Sequence, residues 1–144
     1  MMDGERTVWQ AAIIDVPSMV SVAVSRYGSL IEDVQGVNDW LTANLQNKEI
    51  LMLCSPTAYM ITGIYRPFYA PKSPQAVILF VAGMEGRSEA PWHTSLMLVE
   101  TARWAKERTA VVLKIDSETD IDLAPLVKRL GLPTKVIPGY TVAL

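Results

Sequence analysis

The sequence predicts a mixed α/β domain, and three stretches carry that prediction. Residues 49–54 and 58–65 are strand-like and separated by Ser55, Pro56 and Thr57, which is turn chemistry, so they read as an antiparallel hairpin. Gln75 to Ala82 (QAVILFVA) is apolar on both faces, as in a central strand covered by helices on each side. A helical pattern then leads into a second apolar run, AVVLKI at 110–115, which makes a strand-helix-strand crossover.

The remaining elements follow in order. Thr7 to Ile14 reads as a strand ended by Asp15, whose carboxylate is placed to cap a helix opened by Val16 and Pro17 and closed by Gly28. A second helix is expected over about 38–46, capped by Asn38 or Asp39, with Leu41 and Leu45 one turn apart. After the hairpin, prolines 67, 71 and 74 impose an extended connection. The helix of the crossover is expected over about 95–108, with Leu98, Ala102 and Ala105 on its packed face and Glu100, Arg103 and Glu107 on its solvated one. Asp122 is expected to cap a short helix in which Pro125 falls in the first turn and which Gly131 ends. A last strand over 135–143, interrupted by Pro138 and Gly139, belongs at an edge. The order is β-α-α-β-β-β-α-β-α-β.

Composition narrows the function classes. A chain of 144 residues without repeats or linkers reads as one domain, 1–144. Its single cysteine, Cys54, allows no internal disulfide, and no zinc-type spacing of Cys and His is present, so no metal site is expected. Net charge is −2 with Lys and Arg scattered, which argues against nucleic acid as a partner. The beginning MMDGERTVWQ has no charged-then-apolar leader, and the longest apolar run is far shorter than a membrane helix. A soluble, cytoplasmic protein with no membrane partner is expected. Charged residues make up 19% and apolar ones 50%, so exposed apolar surface, covered by a protein partner or a second copy, is also expected.

Three segments together resemble the GNAT superfamily of N-acetyltransferases over essentially the whole chain. QAVILFVAG is similar to the family's fourth strand, SLMLVETARWAKERTAVVLKI to its cofactor-side helix and fifth strand, and DLAPLVKRLGLPTKVIPGYTV to its final helix and strand. The resemblance implies a GNAT-like twisted mixed β-sheet flanked by helices, with acetyl-CoA lying where the fourth and fifth strands splay. It also implies a pyrophosphate loop reading R or Q, x, x, G, x, G or A before the third helix. Physics explains such a loop: glycine lets successive amides approach the phosphates, and the helix N-terminus favours an anion. In the best register Arg87 matches, but Ala90 and Trp92 stand at the glycine positions and Pro91 has no amide. Glu85 and Glu89 add negative charge, and an upstream register through Gly83 and Gly86 leaves about seven residues before the helix expected at Ser95. A degraded phosphate cradle is the expectation.

The cofactor-side residues implied by the resemblance are Phe80, Val81, Ala82, Arg87, His93, Thr94 and Ser95. For catalysis, Val127 stands where family members carry a leaving-group tyrosine, which leaves Glu85 as candidate base and Tyr140 as candidate acid. His93 reads as a local capping or surface residue, Cys54 as a buried apolar group, Trp40 and Trp104 as packing residues, and YRPFYAP (65–71) as a loop pinned by Tyr65 and Phe68. Two functions stay open. One is an acyl-CoA-dependent N-acyltransferase acting on a small amine with acetyl-CoA as cofactor. The other is a catalytically silent GNAT-like interaction protein without cofactor, similar to accessory proteins of tailed-bacteriophage virions or their assembly, found in the host cytoplasm or the virion.

Overall fold

The computed structural model describes residues 7–28, 31, 33–84, 86–115, 121–136 and 142–144. Five strands form one sheet in the order β1 (Trp9–Gln10), β2 (Ile50–Cys54), β3 (Ala58–Tyr65), β4 (Gln75–Gly83) and β5 (Val112–Ile115). The first four run antiparallel to their neighbours, and β5 is parallel to β4. The hairpin and the crossover stand where the sequence placed them. The β2–β3 turn is closed by Ser55, whose hydroxyl accepts from the Ala58 amide at 2.9 Å while its own amide donates to the Ala58 carbonyl at 2.9 Å.

Alternation along the strands builds two cores. Leu51, Leu53, Met60, Ile78 and Val81 face α3 (Ala90–Glu107) and α4 (Ala124–Arg129), where they meet Met97, Leu98 and Leu126. Met52, Cys54, Tyr59 and Ile61 face the other way, against Val16, Met19 and Leu41 from α1 (Val16–Tyr27) and α2 (Val34–Asn44). Burying each such side chain contributes roughly 1.5–3 kcal/mol, so sheet and helices stand or fall together.

Several boundaries differ from expectation. The first strand is only Trp9–Gln10, because the Asp15 carboxylate turns the chain back: it accepts from the Ala12 amide at 2.9 Å and from the Trp9 indole at 3.3 Å. Asp15 therefore precedes α1 without a side-chain cap bond. α2 begins one turn earlier than expected, at Val34, with Asp39 inside it accepting from Gln35. Extending the Val37–Leu41–Leu45 stripe against the core outweighs the capping preference of Asn38 and Asp39. The connection after β3 is pinned by buried Pro67 and Pro74, whereas Phe68 is 91% exposed and stacks edge-on with Tyr69. Of the last expected strand, 137–141 lie outside the described residues, and 135, 136, 142 and 143 are not strand.

Candidate functional site

β4 carries the irregularity that shapes the site. Ile61 pairs with Phe80 but Thr62 pairs with Ile78, so Leu79 is an extra residue, a bulge in β4. Ile78 and Val81 both join the core under α3, which puts Leu79 and Phe80 together on the α1–α2 side. The parallel ladder to β5 is described from Gln75↔Val112 to Ile78↔Ile115, while β4 runs on to Gly83. Beyond the bulge the strand heads into a cleft.

Beyond Gly83 the chain turns at once into α3. The Met84 amide donates to the Thr57 carbonyl at 2.8 Å, Gly86 adopts φ +74°, and α3 starts at Ala90 with Pro91 in its first turn. Expectation placed that start at Ser95, with Pro91 in the loop; proline is in fact at home in a first turn, where it lacks no bond that matters. A side chain at Gly83 would bring its Cβ to 3.0 Å from that of Ala90, so glycine lets the helix start rest on the strand end. Donors at the helix start are few: the Ala90 amide donates to Arg87 at 3.2 Å and Pro91 has none, while the His93 amide makes the first helical bond, to the N-cap carbonyl of Glu89 at 2.9 Å.

A cleft of about 740 Å³ lies at this junction, lined by Ser25 and Arg26 of α1, Gly83, Met84, Gly86, Arg87 and Ser88 of the strand exit and loop, Ala90 and Pro91 of α3, and Ile121 and Asp122 before α4. The Arg26 guanidinium donates to the Gly83 carbonyl at 3.1 Å, which holds its charge against the strand exit. Two guanidiniums thus border the cleft, with the Asp122 carboxylate across from them accepting the Ala124 amide at 3.2 Å, the expected capping role. A second hollow of about 300 Å³ opens on the α1–α2 side of the bulge, and its lining is wholly apolar.

The cofactor-side residues divide. Arg87 lines the cleft and is exposed. Val81 and Ala82 are about 1% exposed, so their side chains belong to the packed interior and only backbone could meet a ligand. Phe80 lies on the α1–α2 side against the Tyr27 ring, centroids 5.8 Å apart. Thr94 returns its hydroxyl to the Ala90 carbonyl at 2.7 Å and Ser95 is buried. His93 is neither surface nor cap: it is buried, and its Nδ1 hydrogen-bonds the Thr57 hydroxyl, tying the start of α3 to the β2–β3 turn. Trp92 beside it is 56% exposed. Glu85 and Tyr140 lie outside the described residues.

Two more groups bear on chemistry. Burial, with the charge of Asp15 adding to it, pushes the Cys54 thiol up to about 12, which keeps it protonated and inert. Burial also raises Tyr59, against a hydrogen bond with Ser18 that lowers it. Sequence reasoning missed Arg26 and Leu79. Nothing in the pattern ties residue 26 to residue 83, and an unbroken apolar run hides a bulge.

No protein-family model matches the chain, and no curated protein matches it in sequence. Solved structures match it over nearly all its length. A candidate acetyltransferase from Arthrobacter sp. FB24 superposes with a TM-score of 0.74 at 15% identity, covering 100% of this chain and 99% of that one. Another from Agrobacterium tumefaciens str. C58 gives 0.71 at 15%, covering 96% and 100%. A third, from Clostridium acetobutylicum and solved with acetyl-CoA, gives 0.66 at 15%, covering 94% of each chain. The chain has the GNAT fold. At these identities the likeness is one of architecture, and in this GNAT-fold chain the strand adjacency that the resemblance implied, fourth beside fifth, is present.

Proposed function

We propose that this GNAT-fold chain is an acyl-CoA-dependent N-acyltransferase acting on a small amine, with its cofactor in the cleft where β4 meets α3. The cleft itself is the supporting observation: its volume falls in the usual range for ligand sites, and two arginines border it. Its donor set fits an anionic cofactor held by side chains, Arg87 and Arg26, more than by the helix start, where the Ala90 amide is engaged and Pro91 has none. Bound there, an acyl-CoA supplies the thioester whose C–S bond breaks as the amine nitrogen forms the C–N bond, the amine proton ending on the released thiol. The chain's own part is to hold the phosphates at Arg87, to present β4 backbone beside the reacting carbonyl, and to exclude water with the walls of the cleft.

Thermal unfolding with and without acetyl-CoA tests this. At 100 times its Kd a ligand stabilises by about 2.7 kcal/mol, roughly 5–10 °C for a chain of this size. Arg87→Ala should remove most of that rise, and thiol release should require an amine. Absence of any shift at millimolar acetyl-CoA or CoA refutes the reading.

The engaged Ala90 amide, Pro91 without one, and exposed Trp92 support a second reading, a catalytically silent interaction protein such as a tailed-phage accessory component. It expects self-association or a protein partner in light scattering, and a cofactor-induced shift lost in Arg87→Ala defeats it.

A further inference from the structure

The end of the sheet far from the cleft carries aromatic rings that the fold leaves in water. Tyr65 ends β3 beside Gln75, which begins β4 and pairs in turn with Val112, so Tyr65, the β3–β4 connection and Val111 lie side by side. The Val111 amide donates to the Pro74 carbonyl at 2.9 Å and fixes the connection there. Phe68 is 91% exposed, Tyr69 68% and Val111 61%, so Phe68 does not pin the loop but stands out from it. Cations surround these rings. Arg66 and Lys72 flank them in sequence, and both are exposed. The Arg108 guanidinium reaches the same end, donating to the Lys48 carbonyl at 2.9 Å, with exposed Lys106 close by on α3. Against these five cations the described residues set Glu49, paired with Arg66 at 2.9 Å, and Glu107. In a chain of net charge −2 this end is positive. We propose that the β3–β4 loop is a peripheral anchor that seats the chain on an anionic lipid surface, with Phe68 and Tyr69 at the boundary of headgroups and acyl chains and the cations over the headgroup anions.

Loop chemistry decides in favour of lipid. Pro67, Pro71 and Pro74 have no amide, and the Ala70 and Ser73 amides are already bonded to the Pro67 and Ala70 carbonyls at 3.1 and 3.0 Å. A tip so poor in free donors enters a low-dielectric boundary at small cost, because it is unpaired backbone groups that are expensive there. The same two turns hold the rings beforehand: Phe68 and Tyr69 meet edge to face with centroids 5.4 Å apart, so little freedom is lost on insertion. Phenylalanine is wholly apolar, and the tyrosine hydroxyl suits the wet side of such a boundary. A stable protein interface takes roughly 800 Å² from each partner, whereas two rings give about 300–500 Å². Single-stranded nucleic acid stacks successive bases on ring faces, and rings set 86° apart do not continue one stack. The hydropathy that argued against a membrane speaks only to spanning. No helix among the described residues is long and apolar enough to cross a bilayer, and a surface contact needs none. β4 runs from this end to Gly83, on the order of 25 Å, so a chain seated by the loop keeps its cleft open to water. The anchor does not depend on what the cleft binds.

Vesicle sedimentation of the full chain tests this, with phosphatidylcholine vesicles that either contain phosphatidylserine or lack it, at low and high salt and with no CoA ester present. The parent should bind the phosphatidylserine vesicles at least about tenfold more tightly than the neutral ones, and the preference should shrink as salt rises. Phe68→Ser should weaken binding to the anionic vesicles about tenfold or more, the ratio set by ~1.5 kcal/mol for burying the ring. Lys72→Glu changes two charge units and should weaken the same binding about thirtyfold, at ~1 kcal/mol each, while leaving the neutral vesicles unaffected. Both residues are exposed, so each variant should melt cooperatively at the parent's temperature, which certifies its fold. Absence of vesicle binding by the parent, equal binding to the two vesicle types, or binding unchanged in either variant overturns the anchor. So does self-association in light scattering, or retention of a single-stranded oligonucleotide, that Phe68→Ser abolishes while vesicles go unbound.

Discussion

Thr109 sits in left-handed backbone, φ 62°, and is the one non-glycine among the described residues with positive φ. It closes α3. Its amide donates to the Lys106 carbonyl at 3.0 Å and the Ala110 amide to Ala105 at 3.0 Å, the paired bonds of a Schellman ending, which glycine normally serves. α4 of this chain ends on Gly131 with φ +67°. A left-handed non-glycine residue costs about 1–2 kcal/mol, and glycine gives back about 0.5–1 kcal/mol through its freer unfolded chain. Thr109 also donates its hydroxyl to the Arg108 carbonyl at 2.6 Å, but that bond is exposed and worth little net. Thr109→Gly should therefore stabilise by roughly 0.5–1 kcal/mol, a rise of about 1–4 °C in a domain of this size. Paired urea and thermal unfolding measure it, with an unchanged m-value showing that stability, and not the surface exposed on unfolding, has changed. Gly131→Ala is the mirror experiment: a Cβ there meets nothing within 4 Å, so the expected loss, about 1 kcal/mol, is backbone strain alone. A fall in stability for Thr109→Gly, or no loss for Gly131→Ala, refutes the reasoning.

Three further outcomes are expected. The Cys54 thiol ionises from its ordinary value of 9.0 in the unfolded chain but only near 12 when folded, so the native state keeps its proton longer. Its contribution is complete below pH 9 and declines as pH rises from 9 towards 12; Cys54→Ala should thus lose stability less steeply than the parent above pH 9, by up to ~1.4 kcal/mol per pH unit in urea titrations. Equal slopes would exclude the burial effect. Leu98→Ala removes a side chain with no exposed surface between α3 and the sheet, and should cost about 2–5 kcal/mol by denaturant unfolding. Asp15→Ala strips the acceptor from the Ala12 amide and the Trp9 indole, and should cost about 1 kcal/mol with a change in Trp9 emission.

Legibility in this sequence followed the range of the interactions. β3 was read to the residue and β2 and β4 within one, because their alternating or doubly apolar runs are bounded by Ser55–Thr57 and by the prolines of the connection. Capping chemistry was readable where it is local, as with Asp122 and Ala124, and misread at Asp15, whose carboxylate serves an indole six residues back. His93 shows the same limit more sharply. Its sequence neighbours are helix-cap residues, but its partner is Thr57, 36 positions away, brought there by the Met84–Thr57 backbone bond that extends the hairpin edge. The Leu79 bulge had no signal, since inserting one apolar residue into an apolar run leaves the pattern unchanged.

The start of α3 is where sequence and structure part with most consequence for function. Reading Pro91 as loop put the helix at Ser95, and distance from Gly83 and Gly86 then counted against an anion site. With α3 beginning at Ala90, Gly86 lies only four residues upstream and its positive φ turns the loop back towards Arg87 and the helix. Distance therefore no longer argues against the cofactor. What remains against it is the use of the Ala90 amide by the loop's own carbonyl at Arg87, beside Pro91, which has no amide. That bond belongs to a tight turn in an exposed loop and is worth about 0.5–1.5 kcal/mol net. A phosphate salt-bridged to Arg87 gains charge-assisted bonds roughly twice as strong, enough to displace one such contact but not to replace the missing amide of Pro91. Under the acyltransferase reading proposed above, cofactor binding would depend on the arginines more than on the backbone, which is why Arg87→Ala, and not a change of glycine, separates the two functions.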